Sequence, residues 1–290
     1  MLCLTCGTRP VVTADGRCHG CAMLSRRAPG GLMPAASTPP GEGWHRLRSP
    51  GGLAKAVIVA LSAVIATDLL AVAVGLYYRG LLGDALTGDG SDLDDAEARG
   101  ADLLYAQAGS LQMLATLATA VLFIVWFHRV RRNAEVFDAS RQPMRPGWAI
   151  GGWFVPLANF WLPRRIAGGI WSASAGTGPE GAGPPVSKAP LHLWWGFWVF
   201  SLLLTRYAGR VYEQAVTGRE IVDAVTTTAV ADVVDGVAAA LAIVFVHKLT
   251  RMQRERMALG PASPALPQAG SPGSSGAAGP VKAPTGPAAP

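Results

Sequence analysis

The sequence predicts an all-α integral membrane protein with four transmembrane helices, and three observations lead to that class. Four apolar runs lie near residues 53–78, 103–127, 191–212 and 228–247. A helix needs ~20 mostly apolar residues to cross the hydrocarbon core of a bilayer, and a soluble domain of this length would rarely contain four such runs. Half of the residues are hydrophobic and only 15% are charged, against roughly 25% in an average soluble domain. Charge also alternates from loop to loop. The stretches before the first run, between the second and third, and after the fourth hold twenty of the Lys and Arg residues, and the other two loops hold five.

That asymmetry sets the orientation. The loop after the first run has only Arg79 and Arg99 among seven acids, including Asp92, Asp94, Asp95 and Glu97, and the outer end of the third run with the loop after it has Arg206, Arg210 and Arg219. Basic loops stay on the cytoplasmic side, so both termini are expected there, with the protein in the inner, or plasma, membrane. The net charge of +6 then reflects topology and attraction to anionic lipid headgroups. It is poor evidence for nucleic-acid binding. Met1–Met23 lacks the basic start and unbroken apolar stretch of a signal peptide, so the first span is expected to act as its own insertion signal.

Residues 1–24 hold all four cysteines as Cys3-x2-Cys6-Gly7 and, eleven residues on, Cys18-x2-Cys21. Two such pairs aim four thiolates at one tetrahedral Zn2+. Gly7 lets the chain turn beneath the metal, and Asp15-Gly16 suits the hairpin between the pairs. Disulfides do not persist in a reducing cytoplasm, and so small a segment hardly folds without metal. A small zinc ribbon with Cys3, Cys6, Cys18 and Cys21 as ligands is the expectation; a redox dithiol or a metal-scavenging tail is the alternative. Four Cys ligands close the shell, making the zinc structural rather than catalytic. Such ribbons often recognise a partner, and Arg9, Arg17, Arg26 and Arg27 could meet an acidic one, although positive-inside charge explains them as well.

Residues 25–43, rich in Gly, Pro and Ala, read as a flexible linker. Residues 44–257 form the membrane domain. The first span carries Asp68 and the fourth Asp232 and Asp235. Ionisable groups within spans are costly and usually face the bundle interior or a polar cavity. Asp232 and Asp235, three apart, share a helix face, and Arg206 and Arg210 are candidate counter-ions. Past the second span, Arg129, Arg131 and Arg132 with Val130, Ala134 and Phe137 suggest an amphipathic extension along the membrane surface, its arginines meeting anionic lipid.

Residues 147–163, GWAIGGWFVPLANFWLP, are apolar but short and broken by Pro and Gly. A full crossing here would invert every later loop and place Lys248, Arg251, Arg254 and Arg256 outside. The segment is therefore read as re-entrant or interfacial on the cytoplasmic face. Irregular backbone at that depth must be buried in protein or line a cavity. Gly151-Gly152 and Gly168-Gly169 point to close helix packing or bends. Residues 258–290, almost all Pro, Ala, Gly and Ser, lack the large apolar side chains for a core and read as a disordered tail.

Trp126, Asn133, Pro146-Gly147-Trp148, Gly152-Trp153-Phe154, Pro156, Asn159, Pro163 and Trp171 together resemble the signature of an uncharacterised bacterial membrane family, domain of unknown function 4328, common in actinobacteria. The likeness covers roughly residues 53–250. That family usually has a Tyr-Gln pair where this chain has Arg164-Arg165. The resemblance implies a four-span membrane domain and brings no activity with it.

No zincin, phosphate-loop or nucleophile-elbow motif appears, so a non-enzymatic protein is expected. The leading expectation is a membrane scaffold or sensor whose zinc ribbon docks a cytoplasmic partner, with the lipid bilayer as its surroundings and a homo-oligomer plausible. The alternative is a small proton- or cation-coupled transporter using Asp68, Asp232 and Asp235, with the segment around Asn159 as a gate. Against it, no inverted repeat is visible.

Overall fold

The structure, a computed structural model, describes residues 10–12, 18–19, 43–88, 95–175 and 186–260. The chain divides into two compact units, Met1–Glu42 and Gly43–Pro290. In the first, Cys18 is buried and His19 exposed. Cys3, Cys6 and Cys21, most of the linker and residues 261–290 of the tail lie outside the described residues.

The second unit is all-helical among its described residues. Its helices are α1 (Gly51–Thr87), α2 (Asp95–Phe137), α3 (Trp148–Gly151), α4 (Leu162–Ser174), α5 (Ala189–Gln214) and α6 (Gly218–Leu259). Three of them, α1, α2 and α6, are long and apolar enough to cross a membrane. At 1.5 Å per residue the 26-residue α5 is about 39 Å long, which suffices in length. Its indoles Trp194, Trp195 and Trp198, with His192, Arg206 and Arg210, dilute its apolar character. Four runs were expected to span, and three helices meet the criterion on both counts.

The helices outrun the apolar runs because their ends are capped outside them. α1 continues to Thr87 and stops at Gly88, whose φ of 72° is the left-handed conformation that glycine adopts without strain. α6 starts at Gly218 behind a capping box. The Glu220 carboxylate accepts from the Thr217 backbone N–H at 2.9 Å, and the Thr217 hydroxyl accepts from the Glu220 N–H at 3.3 Å, satisfying donors left open at a helix start. α5 and α6 are therefore joined by only Ala215, Val216 and Thr217, where the apolar runs alone implied a longer loop. After α2, Asp138 caps a 3-10 turn through Ser140 and pairs with Arg141 at 2.8 Å. Burial alone would push the Asp138 carboxyl up, but hydrogen bonds from Ser140 and Arg141 outweigh it and hold the group below its usual range.

α1 packs along both α2 and α6, and α5 packs along α6. The order α2–α1–α6–α5 forms an arc, and the side between α2 and α5 has no comparable helix contact. Large apolar side chains such as Leu103, Met113, Leu114 and Val121 on α2, and Phe200 and Leu203 on α5, are exposed on the outside. A surface of this kind is suited to lipid rather than water.

At one end of the bundle, where α2 and α6 finish and α1 begins, the core is closed by aromatic rings and buried polar groups. Trp194 stacks on Phe245 with centroids 4.5 Å apart, and Trp171 on the other face at 6.0 Å. Asn133 donates to Arg48 O at 3.0 Å and to Gln253 Oε1 at 3.1 Å. Gln253 donates to Val130 O at 2.9 Å and Ser174 Oγ at 3.2 Å, and Trp126 Nε1 donates to Thr250 Oγ1 at 3.2 Å. These bonds tie α2, α4, α6 and the approach to α1 together, and buried polar groups need such partners.

One expectation changes here. Val130 and Ala134 face this core rather than lipid, and Arg131 is 1% exposed, donating to Met144 O and pairing with Glu135 at 3.5 Å. Arg131 therefore does not meet the membrane surface, because the apolar stripe beside it packs on protein. Residues 147–163 form α3, a loop, a 3-10 turn at Ala158–Phe160 and the start of α4. Leu157 enters that turn at φ 62°, a costly value for a branched side chain. A Cβ on Gly152 would lie 2.8 Å from Trp148 O and 3.5 Å from Leu162 Cβ, so the segment folds back onto α4 at this end of the bundle. Trp153 is its inward anchor, edge-on to Phe127 at 5.8 Å and to Trp198 at 5.6 Å. It wedges between α2 and α5.

Candidate functional site

Halfway along the arc, three carboxylates converge. Asp68 on α1 is 1% exposed, while Asp232 and Asp235 on α6 are half-buried. Their link is Gln112 on α2, whose one amide nitrogen donates to Asp68 Oδ1 at 2.7 Å and to Asp232 Oδ1 at 2.9 Å. Both N–H groups of that nitrogen are thereby used. Asp68 Oδ2 is buried without a hydrogen-bond partner; a Cβ on Gly236 would lie 3.7 Å from it, which places it against the α6 backbone at that residue. Ser201 of α5 neighbours Asp235. Asp68 lies nineteen residues from the end of α1, about 28 Å of helix, so the cluster sits near mid-helix.

The residues expected to serve this site are distributed unevenly. Asp68, Asp232 and Asp235 are brought together. Arg206 is exposed and forms no ion pair with them; Arg131–Glu135, Arg141–Asp138 and Arg251–Glu255 are ion pairs elsewhere in the unit. A neutral amide stands where a counter-ion was expected. Asn159 sits on the 3-10 turn with its Oδ1 buried and unpartnered. It lines neither cavity described below; the segment reaches the smaller one through Trp153. Gln112 was missed because a single neutral residue within an apolar run carries little signal.

The open side of the arc forms a crevice of about 530 Å³ between α2 and α5, floored by α6. Asp232, Asp235 and Gln112 line it with Ser201, Thr205 and Thr228. Tyr105 bounds it toward the far end, stacked on Tyr78 at 5.4 Å and on Tyr212 at 6.2 Å. A smaller chamber of about 180 Å³ continues inward, sharing Thr116, Trp198 and Asp235 with the crevice. It ends at Trp153, Phe123 and Trp194.

Chemically the cluster is a set of acceptors with too few donors. Ionised carboxylates in a low-dielectric interior are stable only when paired or coordinated, and the described surroundings supply one amide and hydroxyls but no basic side chain. Among the described residues no group of three or more His, Cys, Asp or Glu has the geometry to hold a metal ion.

The fold and this site define an all-helical protein with membrane-length helices around an acidic polar centre. The chain belongs to the family described as Domain of unknown function (DUF4328), which matches residues 89–251. That match starts after α1, later than the resemblance suggested, so it takes in Gln112, Asp232 and Asp235 but not Asp68. No curated protein and no solved structure matches the chain.

Proposed function

We propose that this chain is a four-span protein of the cell membrane, with both termini cytoplasmic, that binds a proton or cation at Asp68, Asp232 and Asp235 and acts as a small cation-responsive transporter or sensor. The observation that carries the reading is the single Gln112 amide shared by two carboxylates while Asp68 Oδ2 has no partner. On this reading α5 is the fourth span, the folded-back segment around Trp153 is the cytoplasmic re-entrant element, and the exposed apolar faces meet lipid or a second copy. The basic loops support that orientation. The activity involves no bond cleavage.

Infrared spectroscopy of the protein in lipid nanodiscs tests it. The wild type should show protonated-carboxyl C=O bands that titrate with pH or move when monovalent cations are added. Asp68→Asn and Asp232→Asn should remove them. Wild-type spectra indistinguishable from those of the variants across the neutral range would refute the reading.

The N-terminal cysteines belong to the same proposal as a structural zinc site that docks a cytoplasmic protein partner. The support is four thiols in two Cys-x2-Cys pairs, with the Cys18 side chain buried in the first unit.

A further inference from the structure

The crevice and the chamber behind it differ in chemistry, and the difference specifies a ligand. Crevice volumes of ~300–1,000 Å³ are those of small-molecule sites, and about 530 Å³ falls in that range. It is far more than a bare metal ion fills. Its lining includes two carboxylates, Asp232 and Asp235, and no Lys, Arg or His. Tyr212 and Trp198 contribute aromatic rings, whose faces attract cations, while the faces of Tyr105 are taken by Tyr78 and Tyr212. The chamber that continues from it is walled mainly by apolar groups, among them Leu61, Val64, Phe123 and Ile124.

A hard inorganic cation suits this poorly, because Ca2+ wants six to eight oxygen ligands and two of the carboxylate oxygens are already tied to Gln112. A second observation, independent of the acid count, points the same way. Asp68, 99% buried, keeps an unpartnered Oδ2 beside Gly236, an acceptor left open behind the carboxylates that line the crevice.

We propose that the crevice between α2 and α5 is a binding site for a lipophilic organic monocation, with its charged centre between Asp232, Asp235 and the Tyr212 ring and its apolar body in the chamber beside Trp198. The proposal rests on the cation reading of the carboxylate cluster and names the class of cation. Occupancy replaces a proton on the cluster, so binding of a permanently charged ligand releases H+ to solvent.

The test uses the full chain in lipid nanodiscs and a matched pair of probes, tetraphenylphosphonium and tetraphenylborate, which share size and shape and differ in sign. Tetraphenylphosphonium should quench tryptophan fluorescence saturably and release protons, and tetraphenylborate should do neither. Asp232→Asn with Asp235→Asn should weaken tetraphenylphosphonium at least tenfold; the amides are near-isosteric, and unchanged circular dichroism would confirm folding. Equal binding of the two probes, or undiminished binding to the double variant, would overturn the proposal and leave the crevice as a slot for lipid chains or for a second copy. Absence of tetraphenylphosphonium binding would also overturn it. Titrating carboxyl bands in the infrared would then show that the underlying proton reading stands, and their absence that both fail.

Discussion

Gly168 and Gly169 are adjacent in α4 and should respond to alanine in opposite directions. A Cβ on Gly168 meets nothing within 4 Å, so Gly168→Ala gains only the intrinsic helix preference of Ala over Gly, about 1 kcal/mol. A Cβ on Gly169 would lie 2.7 Å from Arg141 O and 3.0 Å from Pro143 Cδ. Neither neighbour can yield cheaply, since one is backbone and the other a ring. The Gln142 amide also donates to Gly169 O at 3.4 Å, and that contact is strained if the strand of chain retreats. Overpacking of this kind costs ~1–3 kcal/mol. Taking the upper figure for a backbone clash and crediting the same helix preference leaves Gly169→Ala about 2 kcal/mol less stable than wild type. The two variants should thus differ by about 3 kcal/mol, read as denaturant midpoints from tryptophan fluorescence in detergent. Equal stability would refute the argument that α4 is docked through Gly169 onto the turn after α2. It would show instead that both glycines face lipid.

Two other outcomes follow from the same geometry. Gln253→Leu keeps volume but removes three bonds, to Val130, Ser174 and Asn133; at ~1 kcal/mol each unfolding should become about 3 kcal/mol easier, and a loss under 1 kcal/mol would mean the network is not formed. Cys3→Ser with Cys18→Ser should take bound zinc, measured by atomic absorption on purified protein, from equimolar to none, and full retention would end the zinc assignment.

Apolar length made the helices legible, but it underestimated how far they run. The Thr217-x-x-Glu220 capping pattern stood in the sequence and marks the α6 start ten residues before its apolar run. Leu86 illustrates the same point at the end of α1. It lies outside the hydrophobic window, yet its Cδ2 would be 3.0 Å from a Cβ on Gly218, so contact between the helix ends continues beyond the apolar segments. Helical periodicity identified the stripe Val130, Ala134 and Phe137, but an apolar stripe reads the same whether lipid or protein covers it. Arg131 shows the consequence, because it is buried and donates to Met144 O rather than reaching headgroups. Trp126, Asn133 and Trp171, prominent in the family signature, are buried structural groups. The three aspartates were visible because charge stands out in an apolar run. Their convergence on Gln112 depends on how α1, α2 and α6 cross, which spacing along one helix does not encode.

The unequal closure of the bundle bears directly on how the site can work. At the base, α2 is held by Asn133, Trp126 and Arg131, all buried and bonded to other elements. At the carboxylates, the bonds from α2 to α1 and α6 are the two from Gln112. Hydrogen bonds to charged groups contribute ~1.5–3 kcal/mol each, so this one amide supplies most of the polar restraint on α2 at that depth. Anything that takes Asp232, whether a proton or a ligand cation, competes with that restraint. Losing it would release α2 where it borders the crevice and leave its base fixed. The cluster is therefore placed where a change in its occupancy acts on the α2 wall of the crevice, which is held at that depth mainly by its packing on α1.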